Sequence, residues 1–334
     1  MATRSLAIIG AGSWGTALAI ILAPRFDRIR LWAREAELVQ RMFSARVNDV
    51  FLPGYSLPLN VEPTTDLGCA LDEAAIVAGV MPSRFARMLY GQMLPHLAPE
   101  TRFVSATKGL EQGTLLRMSE VAREVIGTKF PPRIAVLSGP TFAREVAAGH
   151  PTALVIASED QALASSIQRE FSGPTFRLYA NGDPVGVELA AALKNIIAIG
   201  AGICDGLGLG SNTIAALITR GLAEITRLAV ALGGQQKTLA GLAGLGDLVL
   251  TCNGTLSRNR SVGIELAKGR TIGDIVASMT MIAEGVETTA AACDLARKSA
   301  VDMPITFQME AILSGRVAPH AAIRELMERE LKVE

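Results

Sequence analysis

Net charge is the first thing this sequence lacks. Thirty-two Lys and Arg balance thirty-two Asp and Glu over 334 residues. Without a basic excess the chain does not read as a general binder of nucleic acid or of anionic membrane, although a local basic pocket is still allowed. Cysteine is scarce. Cys69, Cys204, Cys252 and Cys293 form no C-x-x-C pair, which argues against zinc and dithiol-redox sites and for reduced, mostly buried thiols in a reducing compartment. The three histidines, His96, His150 and His320, lie far apart and match no metal motif, so no metal is expected. No uncharged apolar run reaches the roughly 18 residues of a membrane span. Even the most apolar helical stretch, LAAALKNIIAIGAG at 189–202, follows Glu188 and holds Lys194 near its middle. The opening MATRSLAIIGAG has too short an apolar run for a secretory signal. No internal repeat or low-complexity tract occurs. What is present is a composition that is 49% hydrophobic and 19% charged, suited to a large core. The length suggests about two domains, and a cytoplasmic location is expected.

The first half alternates β-rich runs with helical patterns. Strands are expected at 5–9, 28–32, 59–63, 74–80, 102–107, 133–139, 152–158 and 175–180, with helices between most of them, for example 13–23, 83–93 and 115–126. That alternation predicts a parallel sheet covered by helices on both faces. The pattern changes at Asn181-Gly182-Asp183-Pro184, where Asp183 suits an N-cap and Pro184 a first helical turn. Beyond it the periodicity is helical: about 184–203, then 213–232 with Asn212 as N-cap and Gly233-Gly234 closing it, then 258–268, 272–279, 285–299, 305–314 and 320–331. The expected architecture is a Rossmann-type α/β domain over 1–182 followed by an all-α domain over 183–334.

IIGAGSWGTALA follows the first strand and opens a helix, with Gly10, Gly12 and Gly15 in G-x-G-x-x-G spacing. The first glycine permits a tight turn, the second a close approach to a pyrophosphate, the third helix–strand packing. The helix N-terminus offers free N–H groups to the phosphates. The alternative is an ordinary glycine-rich turn. At the end of the second strand, IRLWARE places Arg34 where NAD sites usually carry an acid. An arginine there suits a 2′-phosphate or stacks on adenine, so NADPH is favoured. NADH stays possible because Glu35 is adjacent, and Arg34 could also be a solvated helix-start residue.

Ligands of open parallel sheets bind beyond the strands' carboxyl ends. There the sequence has VMPSR, then SATKGLE with Lys108, then LSGPTFARE with Gly139 and Thr141. In the helical half, Lys194 shares a stripe with Ala190, Ala191 and Ala198. It either snorkels to water or faces a ligand. Gly200 and Gly202 are costly inside a helix and suggest a close backbone approach. Asp247, after GLAGLG, is either an N-cap or the buried partner of a cation. In TLSRNRS, Ser257 suits an N-cap, and Arg258, Asn259 and Arg260 follow in the first turn. Cations there oppose the helix dipole unless an anion is present, so the turn reads as a phosphate site or as a solvated charged turn.

Together these segments resemble bacterial NAD(P)-dependent glycerol-3-phosphate dehydrogenase. The motifs GAGSWGTALA, SATKGLE, LSGPTFAREVAAGHPTA, GVELAAALKNIIAIGAGICDGLGLG, NTIAALITRGLAEITRL, GLAGLGDLVLTC, LSRNRSVGIELAKG, AEGVETT and MPIT run in order from Gly10 to about Thr306. Ser211 departs from the acid common at its position, and the residues before LSRN differ from the usual ones. The resemblance implies a helical domain like the C-terminal domain of 6-phosphogluconate dehydrogenase. It implies reversible reduction of dihydroxyacetone phosphate to sn-glycerol 3-phosphate with NAD(P)H, feeding phospholipid synthesis. Lys194 is implied as proton donor and acceptor, oriented by Asp247. Lys108, Gly139, Thr141, Lys194, Asp247, Ser257, Arg258 and Asn259 are implied around the substrate. Gly10, Gly12, Ser13, Trp14, Gly15, Arg34, Lys108, Ala143, Arg258, Ile282 and Glu284 are implied around the cofactor. A homodimer through the helical domain is implied as well. Rival readings are a dehydrogenase of another hydroxy acid, such as 6-phosphogluconate or pantoate, or a nicotinamide-binding regulator without catalysis.

Overall fold

A computed structural model of the chain describes residues 4–279, 281 and 283–330. It divides into two compact units, Met1–Glu111 with Leu116–Glu188, and Gln112–Leu115 with Leu189–Glu334. The expected boundary at 182/183 falls just before a continuous helix, Pro184–Gly206, and the division at 188/189 falls inside it.

The first unit is built on β1 (Ser5–Ile9), β2 (Arg28–Trp32), β3 (Val61–Thr64), β4 (Ile76–Gly79), β5 (Arg102–Ser105), β6 (Arg133–Ser138), β7 (Thr152–Ala157) and β8 (Phe176–Asn181). Its helices are α1 (Ser13–Leu22), α2 (Ala36–Ala45), α3 (Leu67–Leu71), α4 (Ala86–Met93), α5 (Met118–Ile126), α6 (Ala143–Ala147) and α7 (Gln161–Phe171). The sheet order is β3-β2-β1-β4-β5-β6-β7-β8. Alternate residues of β1 enter two different cores. Leu6 and Ile8 pack with Leu18, Met42 and Phe171, while Ala7 and Ile9 pack with Leu89, Tyr90 and Val121. Burial on both faces is why β1 and β4 are near-continuous apolar runs, whereas β8 alternates buried Phe176 and Leu178 with exposed Arg177 and Tyr179.

The expected all-parallel sheet needs one correction. β7 runs antiparallel to β6, and β8 is parallel to β7, so the last two strands oppose the first six. A strand buried on both faces reads the same in either direction, so TALVIA carries no direction signal.

The second unit is helical. It comprises α8 (Pro184–Gly206, its first residues in the first unit), α9 (Ser211–Ala231), α10 (Gln236–Leu239), a π-helical turn at Leu242–Gly246, α11 (Asp247–Asn253), α12 (Arg258–Ala267), α13 (Ile272–Ala277), α14 (Glu284–Lys298), α15 (Pro304–Leu313) and α16 (Pro319–Met327). Asp183 caps α8, its carboxylate accepting from Gly186 N at 2.8 Å. α8 is long and apolar enough to cross a membrane, yet its apolar window is wholly buried in the protein, as in a core helix. Asn212 is not the cap of α9. Gly208 turns at φ 70°, and Gly210 is the N-cap, its carbonyl accepting from Thr213 N at 3.0 Å.

The glycines of α8 divide in their use. A Cβ on Gly202 would lie 1.9 Å from the Arg260 carbonyl oxygen, and one on Gly263 of α12 would lie 2.0 Å from that of Ile199. The two helices therefore touch backbone to backbone. Gly200 faces only side chains, Leu217 and Met309, so the expected close backbone approach holds for Gly202 alone.

Candidate active site

In the first unit, the glycine-rich loop divides its glycines by function. Gly10 has φ 122°, and a Cβ there would meet the Val80 carbonyl oxygen at 2.6 Å. A Cβ on Gly15 would lie 1.8 Å from the Gly10 carbonyl oxygen. Gly12, in contrast, has nothing within 4 Å of its Cβ direction. It is also the N-cap of α1, with no side-chain cap and no acid in the first turn. Open space in front of uncapped first-turn amides is the setting a pyrophosphate needs, so these residues fit a dinucleotide. Ser13 directs its hydroxyl elsewhere, donating to the Phe51 carbonyl at 2.6 Å. What it offers an anion is its amide in that first turn. Trp14 packs partly buried against the core, as does Ala143 at the start of α6.

Asn48, which the sequence did not single out, is fully buried beneath this loop. Its Nδ2 donates to the Ala11 carbonyl and to Thr16 Oγ1, both at 2.8 Å, and its Oδ1 accepts from Phe51 N at 3.0 Å. It satisfies a carbonyl inside the glycine motif, so the loop's shape depends on a residue more than thirty positions away. Arg34 is exposed and bonds Glu35 at 2.9 and 3.1 Å. Past the later strands, Lys108 Nζ lies 3.5 Å from the Gly139 carbonyl, and Thr141 Oγ1 donates to that carbonyl at 3.2 Å. Three of the expected substrate residues thus form one cluster. Gly139 is required there, with φ 146° and the Leu154 Cα 3.1 Å from its Cβ direction.

In the second unit, Lys194 does not snorkel to water. It is 5% exposed and Asp247 1%. Its ammonium donates to Asp247 Oδ1, and to Thr251 Oγ1 at 2.7 Å. Thr251 Oγ1 donates in turn to the Asp247 carbonyl at 2.6 Å. Asp247 is the first residue of α11 rather than its N-cap, which is Gly246. Two buried charges are tolerated only when paired and hydrogen-bonded, and this pair has the hydroxyl as a third member. Thr251 was missed in the sequence. Its signal is the i, i+4 spacing from Asp247, visible only once α11 is known to be a helix. Burial pushes the nearby Cys252 thiol up to about 12, so it remains protonated.

A second polar chain lies in the same unit. Asn259 Nδ2 donates to Asn195 Oδ1 at 3.0 Å, and Gly285 N donates to Asn259 Oδ1 at 3.0 Å. A Cβ on Gly285 would come within 2.7 Å of that Asn259 oxygen, so the glycine of AEGVETT lets α14 start against the asparagine pair. Ser257 is the N-cap of α12 as expected, its hydroxyl accepting from Arg260 N at 3.2 Å. Arg258 opens α12 and Glu284 opens α14. Desolvation holds the Arg258 guanidinium below its ordinary range, and the Glu284 carboxylate opposes that effect. Ile282 lies outside the described residues.

The glycine-rich loop of the first unit has the geometry of a dinucleotide site, and the class it points to is a nicotinamide-dependent oxidoreductase. The comparisons narrow that class. The model described as the NAD-dependent glycerol-3-phosphate dehydrogenase N-terminus matches residues 5–164, and its C-terminal counterpart matches 183–324. A glycerol-3-phosphate dehydrogenase [NAD(P)+] of Koribacter versatilis is 60% identical over 97% of both chains. One of Syntrophotalea carbinolica is 51% identical over 99% of both. The crystal structure of glycerol-3-phosphate dehydrogenase from Coxiella burnetii is similar at TM-score 0.94 and 42% identity, covering 98% of this chain and 100% of that one. The chain belongs to the NAD-dependent glycerol-3-phosphate dehydrogenase family. A ketopantoate reductase from Ralstonia eutropha, at 15% identity and TM-score 0.61, shares the fold alone.

Proposed function

We propose that Lys194 is the proton donor and acceptor of this oxidoreductase, acting on the C2 oxygen as dihydroxyacetone phosphate and sn-glycerol 3-phosphate interconvert. The bound nicotinamide of NAD(P)H supplies the hydride at C2. As the ketone becomes an alkoxide its oxygen gathers negative charge, and a fixed ammonium beside it stabilises that charge and delivers the proton. Asp247 keeps the ammonium in place and balances its charge, and Thr251 fixes its direction. The observation that carries the reading is the buried bonding of Lys194 to Asp247 and Thr251.

Arg258, Ser257 and Asn259, at the start of α12, are assigned to the substrate phosphate, where an anion would relieve the conflict between the arginine and the helix dipole. Asn195 is assigned to orient Asn259 through their hydrogen bond. In the first unit Gly10, Gly12, Ser13, Trp14, Gly15, Arg34 and Ala143 are assigned to the cofactor, with Arg258, Ile282 and Glu284 of the second. The cluster of Lys108, Gly139 and Thr141 is assigned to an anionic ligand group. NADPH is the favoured cofactor, because an arginine rather than an acid follows β2. The product is the glycerol backbone of phospholipids, and the reaction is assigned to the cytoplasm. A homodimer is proposed through the second unit, where Leu222, Ala223 and Val230 of α9 line an open apolar groove; a monomer by light scattering would remove that part.

The test is the loss of reduced-nicotinamide absorbance with dihydroxyacetone phosphate, run with NADPH and NADH on wild type and Lys194→Ala. Wild type is expected to turn over. The variant is expected to lose at least about a thousandfold in kcat while still binding NADPH in a fluorescence titration. Near-normal turnover by the variant would reject the role of Lys194.

A further inference from the structure

The turn after β4 places an aromatic ring within reach of two arginines. β2 and β4 both pair with β1, and the glycine-rich loop follows β1. Arg34 lies just past the end of β2, and Arg84 and Phe85 lie in the Ser83–Phe85 turn after β4. The guanidinium carbon of Arg84 stands 4.7 Å from the Phe85 ring centroid, and that of Arg34 stands 5.9 Å from the same centroid. One ring therefore gathers guanidinium groups from the loops of both strands that flank the dinucleotide strand. Both arginines are exposed.

Arg34 is already engaged by Glu35. A ribose hydroxyl could donate to that carboxylate, so the Arg34–Glu35 pair alone separates a 2′-hydroxyl from a 2′-phosphate poorly. A phosphate monoester carries about −1.5 to −2 charge near pH 7 and three acceptor oxygens. A second planar guanidinium supplies the donors that such a group needs and a hydroxyl does not. We propose that Arg84 acts with Arg34 as a specificity-determining residue that holds the 2′-phosphate of NADPH, with Phe85 as the platform that keeps the two side chains together. The proposal rests on the nicotinamide-cofactor reading above.

The test measures kcat/KM with NADPH and with NADH for wild type, Arg84→Ala and Arg84→Lys. Thermal shifts with 2′,5′-ADP and with ADP are run alongside. Wild type is expected to favour NADPH. Arg84→Ala is expected to lower the NADPH-to-NADH ratio about tenfold, mainly through KM for NADPH, with an unchanged Tm for the free protein. It should also lose the extra stabilisation by 2′,5′-ADP over ADP, and Arg84→Lys should keep part of both. An unchanged ratio in Arg84→Ala would overturn the proposal, as would an equal loss with both cofactors or a wild type that favours NADH. If wild type reduced dihydroxyacetone phosphate with neither cofactor, the substrate reading would fail, while the nucleotide pair would still decide the role of Arg84.

Discussion

Lys194, Asp247 and Thr251 invite substitutions that separate charge from shape. Asp247→Asn leaves the ammonium buried without its counter-charge, and breaking a buried pair in this way costs about 3–5 kcal/mol. The variant is expected to show a clear fall in Tm together with a kcat loss on the order of a hundredfold. Thr251→Val keeps the volume and removes one acceptor from the ammonium, worth about 1.5–3 kcal/mol. It is expected to fold and to lose about tenfold in kcat with little change in KM for NADPH. Wild-type kinetics in Thr251→Val would show that the hydroxyl only closes the turn of α11. At this scale the sequence was partly legible. A lysine amid Ala, Leu and Ile in a long helix announced a question, and Ser257 announced its own cap. Thr251 and Asn48 announced nothing, because each works through a partner that only the folded chain brings near.

Elements are held by contacts that periodicity does not encode. α8 and α12 meet at Gly202 and Gly263, where any side chain would strike a carbonyl oxygen. Gly202→Ala must push the helices apart, so a loss of roughly 3 kcal/mol or more is expected, read as a lowered urea midpoint. Gly12→Ala, with open space before it, is expected to keep its Tm and to weaken NADPH binding instead. α9 and α15 are joined differently. Glu224 is 2% exposed and accepts from Ile305 N at 2.7 Å and from Thr306 N and Oγ1 at 3.1 Å. Burial pushes its carboxyl up to about 7, against the donors from Ile305 and Thr306. A folded pKa raised above the unfolded value of about 4.3 means that the folded state holds the proton more tightly. The stabilisation is complete below about 4.3 and is lost as pH rises through about 7. Between pH 5 and 7.5 the wild-type Tm should therefore carry a downward contribution from this group. Glu224→Gln should flatten the slope, and an identical slope in both proteins would count against it. The helices were legible from their periodicity, but α10, the π turn and α11 were not. The sequence offered there only Asp247 as a cap, whereas Gly244 is glycine because Leu239 backbone lies 2.1 Å from its Cβ direction.

For the whole molecule, the alternation of strands and helices was enough to expect the sheet and the helical half, and the motifs were enough to expect the family. The reversal of β7 and β8 was not legible, because neither the apolar run of β7 nor the buried–exposed alternation of β8 changes when a strand is reversed. Nor was the shared helix. α8 begins in the first unit, where Glu188 accepts from Ser119 N at 2.8 Å and pairs with Arg117 at 2.8 Å, and it continues through the second unit as the carrier of Lys194. Burial raises the Glu188 carboxyl above its ordinary value, against Arg117 and the Ser119 donors. Two-unit proteins often unfold in separate steps. α8 runs without a break from residues of one unit into residues of the other, and propagation along a helix is cooperative. A single calorimetric transition is therefore expected. Glu188→Gln in the first unit and Gly202→Ala in the second should each shift that whole transition downward. Saturating NADPH should shift it upward, by about 2.7 kcal/mol of added stability at a hundred times its Kd. If NADPH moved only part of the endotherm, or either variant split it in two, α8 would not couple the units.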